Sequence, residues 1–114
     1  MRIEHLNTPI SEIEEKMILL SMVGILEALK RDCLQIDEAE KFLFSPHMIN
    51  ILKSRKCNDK IINLLERGCE LEDIVSLIPE KIEKIINELK ESAIEVLKEY
   101  PEFVKTFWVE LGNN

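Results

Sequence analysis

The stretch EKIEKIINELKESAIEVLKEY, residues 80–100, decides the fold. Its apolar side chains Ile82, Ile85, Ile86, Leu89, Ala93, Val96, Leu97 and Tyr100 recur every three or four residues, the spacing of one helical face. Glu83, Lys84, Asn87, Glu88, Lys90, Glu91, Glu95 and Lys98 fill the opposite face, with Ile94 at its edge. Glu80 and Lys84 add a favourable pair one turn apart. A helix over about 80–99 with one apolar stripe needs another helix to bury that stripe against.

The partner lies at the other end of the chain. Residues from about 9 to 32 read as a second long helix, apolar almost all round in its middle, as suits the centre of a bundle. Ser11 and Glu14 have capping-box spacing, so this helix starts at either Thr8 or Ser11. Gly24 within it suggests close approach of a neighbouring helix. Between the two long helices, four short ones are predicted at about 37–44, 46–56, 59–67 and 70–78. Asp37 with Glu40, Ser45-Pro46 and Asn58 are their starting signals, and Gly68 is a candidate C-cap. Ala39, Phe42 and Leu43 are expected to face inward. Proline is favoured at a first helical position, and Pro9, Pro46, Pro79 and Pro101 all sit where a helix could begin. A final helix carrying Phe103, Val104, Phe107, Trp108 and Leu111 is expected after Pro101. Residues 1–7 are compatible with a packed arm or an extended segment.

Composition agrees. Ile and Leu supply 31 of 114 residues against 5 Val and 6 aromatics, and only three glycines are present. Strand-rich domains use more β-branched and aromatic residues and more turn glycines. The expected fold class is therefore all-α: one domain spanning 1–114, an irregular helical bundle.

Net charge is −7, placed unevenly: residues 1–57 carry −1 and residues 58–114 carry −6. Such a surface repels nucleic acid and anionic membrane and suits a basic protein partner. Three cysteines, Cys33, Cys57 and Cys69, are an odd number for a disulfide framework. The first apolar run, Met17 to Leu26, follows three glutamates and is half the length of a membrane span. These features predict a cytoplasmic protein with reduced thiols.

Recognisable chemistry is sparse. The cysteines are 24 and 12 residues apart, and neither they nor His5 and His47 form the close ligand pairs of a zinc site, so no metal and no cofactor is expected. His47 has no thiol placed beside it by sequence, and glycine-rich phosphate loops are lacking. Lys53, Arg55, Lys56 and Lys60 form a short basic run without interleaved aromatics, which reads as a solvated helix end. Glu70, Glu72 and Asp73 form a tight acidic cluster at a helix start, where the helix dipole favours anions. Phe103, Phe107 and Trp108 crowd into six residues, either capping the core or forming an aromatic patch.

Three segments, SMVGILEALK (21–30), IDEAEKFLFSP (36–46) and ELEDIVSLIPE (70–80), occur in an order that resembles a family of short bacterial proteins catalogued only as a domain of unknown function. The resemblance spans roughly residues 17–100. It implies no catalytic residues. In size and acidity alone the chain is also similar to immunity proteins encoded beside bacterial toxins.

The function expected is therefore non-enzymatic binding of another protein, in its concrete form immunity-like inhibition of a basic toxin. Acidic contacts are expected from Glu70, Glu72 and Asp73, with Glu88, Glu91 and Glu95 behind them and Trp108 as the apolar anchor. The alternative is a structural or regulatory homodimer that buries Trp108 or the arm 1–7. An enzyme without a recognisable motif ranks third, and a nucleic-acid binder fourth.

Overall fold

Ser11 settles where the first helix begins. In the computed structural model, which describes residues 8–104, its hydroxyl accepts the Glu14 N–H at 3.1 Å. The Glu14 carboxylate accepts the Ser11 N–H in return at 3.2 Å, closing the capping box. Helix α1 then runs Glu12–Lys30, and Pro9 lies ahead of the cap rather than inside the helix. Helices α2 (Ile36–Phe42), α3 (Pro46–Ser54), α4 (Asp59–Cys69) and α5 (Leu71–Leu77) follow. A single 3-10 turn, Pro79–Lys81, leads into α6 (Ile82–Leu97). The described residues form an all-α bundle, as the periodicity implies.

Helices α1 and α6 make the most extensive pairing among the described elements. They run antiparallel: Glu15 near the start of α1 meets Tyr100 beyond the end of α6, and Glu27 meets Lys90. Leu19, Met22 and Leu26 of α1 and Leu89 and Ala93 of α6 are fully buried. Burying each large apolar side chain contributes about 1.5–3 kcal/mol, and these residues are the centre of the core. Helix α4 packs on α6 through its own apolar side, Ile61, Leu64 and Leu65.

Several local expectations are corrected. Gly24 does not mark a close approach: a Cβ built there meets nothing within 4 Å. Its side of α1, with Ile13 and Leu20, is exposed, so this helix buries one face only. The close approach is at Gly68, where an added Cβ would stand 2.5 Å from the Phe44 ring. Gly68 lies inside α4 and does not terminate it. Ala39 and Leu43 face inward as expected, but Phe42 points outward and Phe44 is buried in its place. The backbone of Leu43 leaves the helical region, which turns the following ring into the core against Gly68. The start of α2 is stabilised two residues earlier than Asp37–Glu40 spacing predicts, by the Gln35 N–H donating to Glu38 at 3.2 Å. Residues 101–104 are not helical, and the rest of the expected last helix, like the arm 1–7, lies outside the described residues.

Candidate functional site

Helix α2 lies against α5 because Phe44 anchors the end of α2 in α4, which continues almost directly into α5. This contact gathers carboxylates from separate parts of the sequence. Glu40 of α2 and Glu72 of α5 share a hydrogen bond, and Asp37 and Asp73 stand close enough to repel the pair. The bond to Glu72 comes first, then partial burial, then repulsion, and together they hold the Glu40 carboxyl above the ordinary carboxylate range. Asp37, Glu72 and Asp73 occupy first helical turns, whose positive dipole ends offset part of this crowding.

A cleft of about 530 Å³ opens beside the cluster, between the end of α1, the start of α2, α5 and the start of α6. Leu29, Ile36, Val75, Ile82 and Ile86 supply apolar lining. Asp32, Asp37 and Glu83 face it as anions, and Lys30 as a cation. Asp37 belongs to both the cleft and the carboxylate cluster, so the two features form one continuous surface. This volume lies in the range of small-ligand sites, and it also fits side chains inserted from a partner.

The residues singled out from sequence divide accordingly. Glu72 and Asp73 join the cluster, whereas Glu70 sits at the junction of α4 and α5 beside Cys69. Glu88, Glu91 and Glu95 are exposed on α6, where Glu88 is 4.0 Å from Lys84 and Glu95 is 3.0 Å from Lys98. Trp108 lies outside the described residues. Asp37 and Glu40 were legible only as helix-start residues, because nothing local shows that α2 and α5 meet. Among the described residues, no group of three or more His, Cys, Asp or Glu is placed to hold a metal ion. Nor is any helix among them long and apolar enough to cross a membrane.

A second polar centre was not visible in the sequence. Glu15 is only 9% exposed. Its carboxylate accepts the Asn58 N–H at 2.7 Å and the Tyr100 hydroxyl at 3.1 Å. The Cys57 thiol lies beside this carboxylate. Burial first, and then the Glu15 charge, push the Cys57 thiol up to about 12. Tyr100 is likewise pushed up to about 12, mainly by burial. A thiol this hard to ionise is a poor nucleophile at neutral pH, so the cluster ties α1, α4 and α6 together rather than offering a reactive sulfur. Burial raises Cys69 in the same direction.

The basic run is also largely consumed. Arg55 is 7% exposed, not solvated as its position in the run suggests. Its Nε donates to the Thr8 carbonyl at 2.9 Å, and its Nη2 donates to both Glu14 oxygens at 3.1 Å. Lys60 pairs with Glu99 at 2.8 Å, and Lys53 stands 3.9 Å from Glu66. The reason is topological: the turn between α3 and α4 brings Arg55 against the start of α1 and Lys60 against the end of α6, while Lys53 reaches across to α4.

Residues 9–110 match a family model described as "Protein of unknown function (DUF3969)". No curated protein matches the chain, and no solved structure does.

Proposed function

The chain belongs to this family of proteins of unknown function, and we propose that it is a non-enzymatic module that binds a basic protein partner through the α2–α5 face. One observation carries the reading: Asp37, Glu40, Glu72 and Asp73 converge from two helices at the edge of a cleft of mixed apolar and charged lining. Carboxylates that repel one another gain more from an arriving Lys or Arg than isolated surface acids do, because the cation relieves their mutual repulsion. The cleft beside them offers apolar burial to the same partner, which isolated charges cannot.

In its concrete form the protein is an immunity-like inhibitor of a basic bacterial toxin, acting in the cytoplasm. The net charge of −7 steers the partner toward the face. Docking at the cleft then covers the partner's working surface. Glu72 and Asp73 are the central contacts, and Glu70, Glu88, Glu91 and Glu95 extend the acidic field. Replacing Glu72 and Asp73 by Lys is expected to slow association with the partner at least tenfold at low salt. The difference should shrink as salt rises, because the steering is screened. An association rate that the double substitution leaves unchanged contradicts the site.

A further inference from the structure

Asp32 is unfavourably placed twice over. Helix α1 ends in a left-handed turn, in which the Asp32 N–H donates to the Leu29 carbonyl at 3.2 Å and the Cys33 N–H to the Ala28 carbonyl at 2.9 Å. Asp32 holds the position in that turn where glycine is usual, with a positive φ of 60°. Its carboxylate also stands just past the C-terminal end of α1, where the helix dipole favours a cation over an anion. Among the described residues, no Lys or Arg forms an ion pair with Asp32. The neighbouring cations are drawn elsewhere: Arg31 and Lys90 each reach Glu27 at 2.7 Å, and Lys84 stands 4.0 Å from Glu88.

Asp32 lines the cleft bounded by α1, α2, α5 and α6. The described lining carries three carboxylates, Asp32, Asp37 and Glu83, against one ammonium, Lys30. Asp37 and Glu83, like Asp32, form no ion pair with a described residue. The apolar lining runs from buried Leu29 and Ile86 to Val75, which is 39% exposed. A neutral or anionic chain entering here gains apolar contact but meets the wrong charge. A Lys or Arg side chain suits both, because its aliphatic stem packs on the apolar lining while its head stays with the carboxylates. A volume of about 530 Å³ also has room for more than one side chain. On the reading that this face binds a basic protein, we infer that the cleft takes a short segment of that partner, one Lys or Arg seated on Asp32 and its aliphatic neighbours laid over Val75 and Ile82. The arriving cation offsets the charge penalty that Asp32 carries in the free protein. Asp32 is then the contact that selects for positive charge.

The probe is the blocked tripeptide acetyl-Leu-Arg-Leu-amide, titrated into the isotopically labelled full chain and followed by amide NMR shifts. Saturable shifts are expected between Leu29 and Asp37 and between Ile82 and Ile86. The same peptide with citrulline, which keeps the shape of Arg without its charge, should bind about fivefold more weakly. Asp32→Gly should abolish this preference and leave the thermal midpoint at or above wild type, because glycine relaxes the turn. Asp32→Asn, whose side chain also tolerates a positive φ, should abolish the preference as well. Absence of shifts at the cleft, equal binding of the two peptides, or a preference that both substitutions leave intact overturns the inference. So does butylguanidinium binding as tightly as the tripeptide, which would assign the cleft to a small free cation. The peptide needs no native partner and leaves Glu72 and Asp73 in place, so failure here is distinct from failure of the acidic cluster, which the Glu72→Lys, Asp73→Lys variant tests.

Discussion

Gly68 shows at the scale of one residue how the site is built. The Phe44 ring fills the space where a side chain would stand, with ring carbons 2.5–2.8 Å from an ideal Cβ. Gly68→Ala should therefore destabilise the fold by about 1–3 kcal/mol, since a packed ring must move. Urea unfolding would read the loss, and a midpoint equal to wild type would show that the ring adjusts freely. Tyr100 is a second case. Its place on the apolar stripe is legible in the sequence, but its hydroxyl bond to buried Glu15 is not. Tyr100→Phe leaves that carboxylate one donor short and should cost about 1–3 kcal/mol. Sequence reading took Gly68 for a helix end and Arg55 for a solvated cation because both partnerships are long-range. Glycines and cations near helix ends look alike until the chain is folded.

At the scale of elements, the sequence predicts which segments are helical well, and their ends less well. The stripe of α6 and the six helices before residue 100 follow from periodicity, and Ser11, Ser45 and Asn58 cap as their side chains suggest. Ser11→Ala should cost about 1 kcal/mol through loss of the α1 cap. Thermal unfolding measures it directly, and an unchanged midpoint would mean that the Arg55–Glu14 contact holds the helix start by itself. The turn after α3 carries the opposite opportunity. Lys56 adopts a positive φ of 60°, a conformation in which a Cβ is crowded. Lys56→Gly should leave the fold as stable as wild type or up to about 1 kcal/mol more stable, despite the greater freedom glycine gives the unfolded chain. A clear loss would show that the Lys56 side chain contributes more than its backbone costs.

At the scale of the molecule, pH separates two kinds of carboxylate. Hydrogen bonds from Lys90 and Arg31 lower Glu27 to about 2. Glu14 is also lowered: burial opposes ionisation, but hydrogen bonds from Ser11 and Arg55 outweigh it. Their folded values lie below the unfolded ones, so their stabilisation is complete above about pH 4.5 and is lost as pH falls, for Glu27 toward 2. Glu27→Gln should thus be less stable than wild type at pH 7 and equal to it near pH 2. Equal stability at both would remove Glu27 from the pairing of α1 and α6. Glu40 has the reverse sign, because its folded value is raised. Protonation relieves the α2–α5 cluster, and binding of a cationic partner should weaken as pH falls through the carboxylate range. Half of this cluster, Glu72 and Asp73, was legible as an acidic run. Asp37, Glu40 and the cleft required the packing of α2 on α5, which no local pattern encodes.

The acidic face is tested most directly by paired capture from the native host. Tagged wild-type chain and the Glu72→Lys, Asp73→Lys double variant would be used as bait at the same low salt, and the bound proteins quantified by mass spectrometry. One basic protein, held in near-equal amount by the wild type and lost by the variant, is the predicted result. Recovery of the same proteins in the same amounts by both baits would contradict binding at the α2–α5 face.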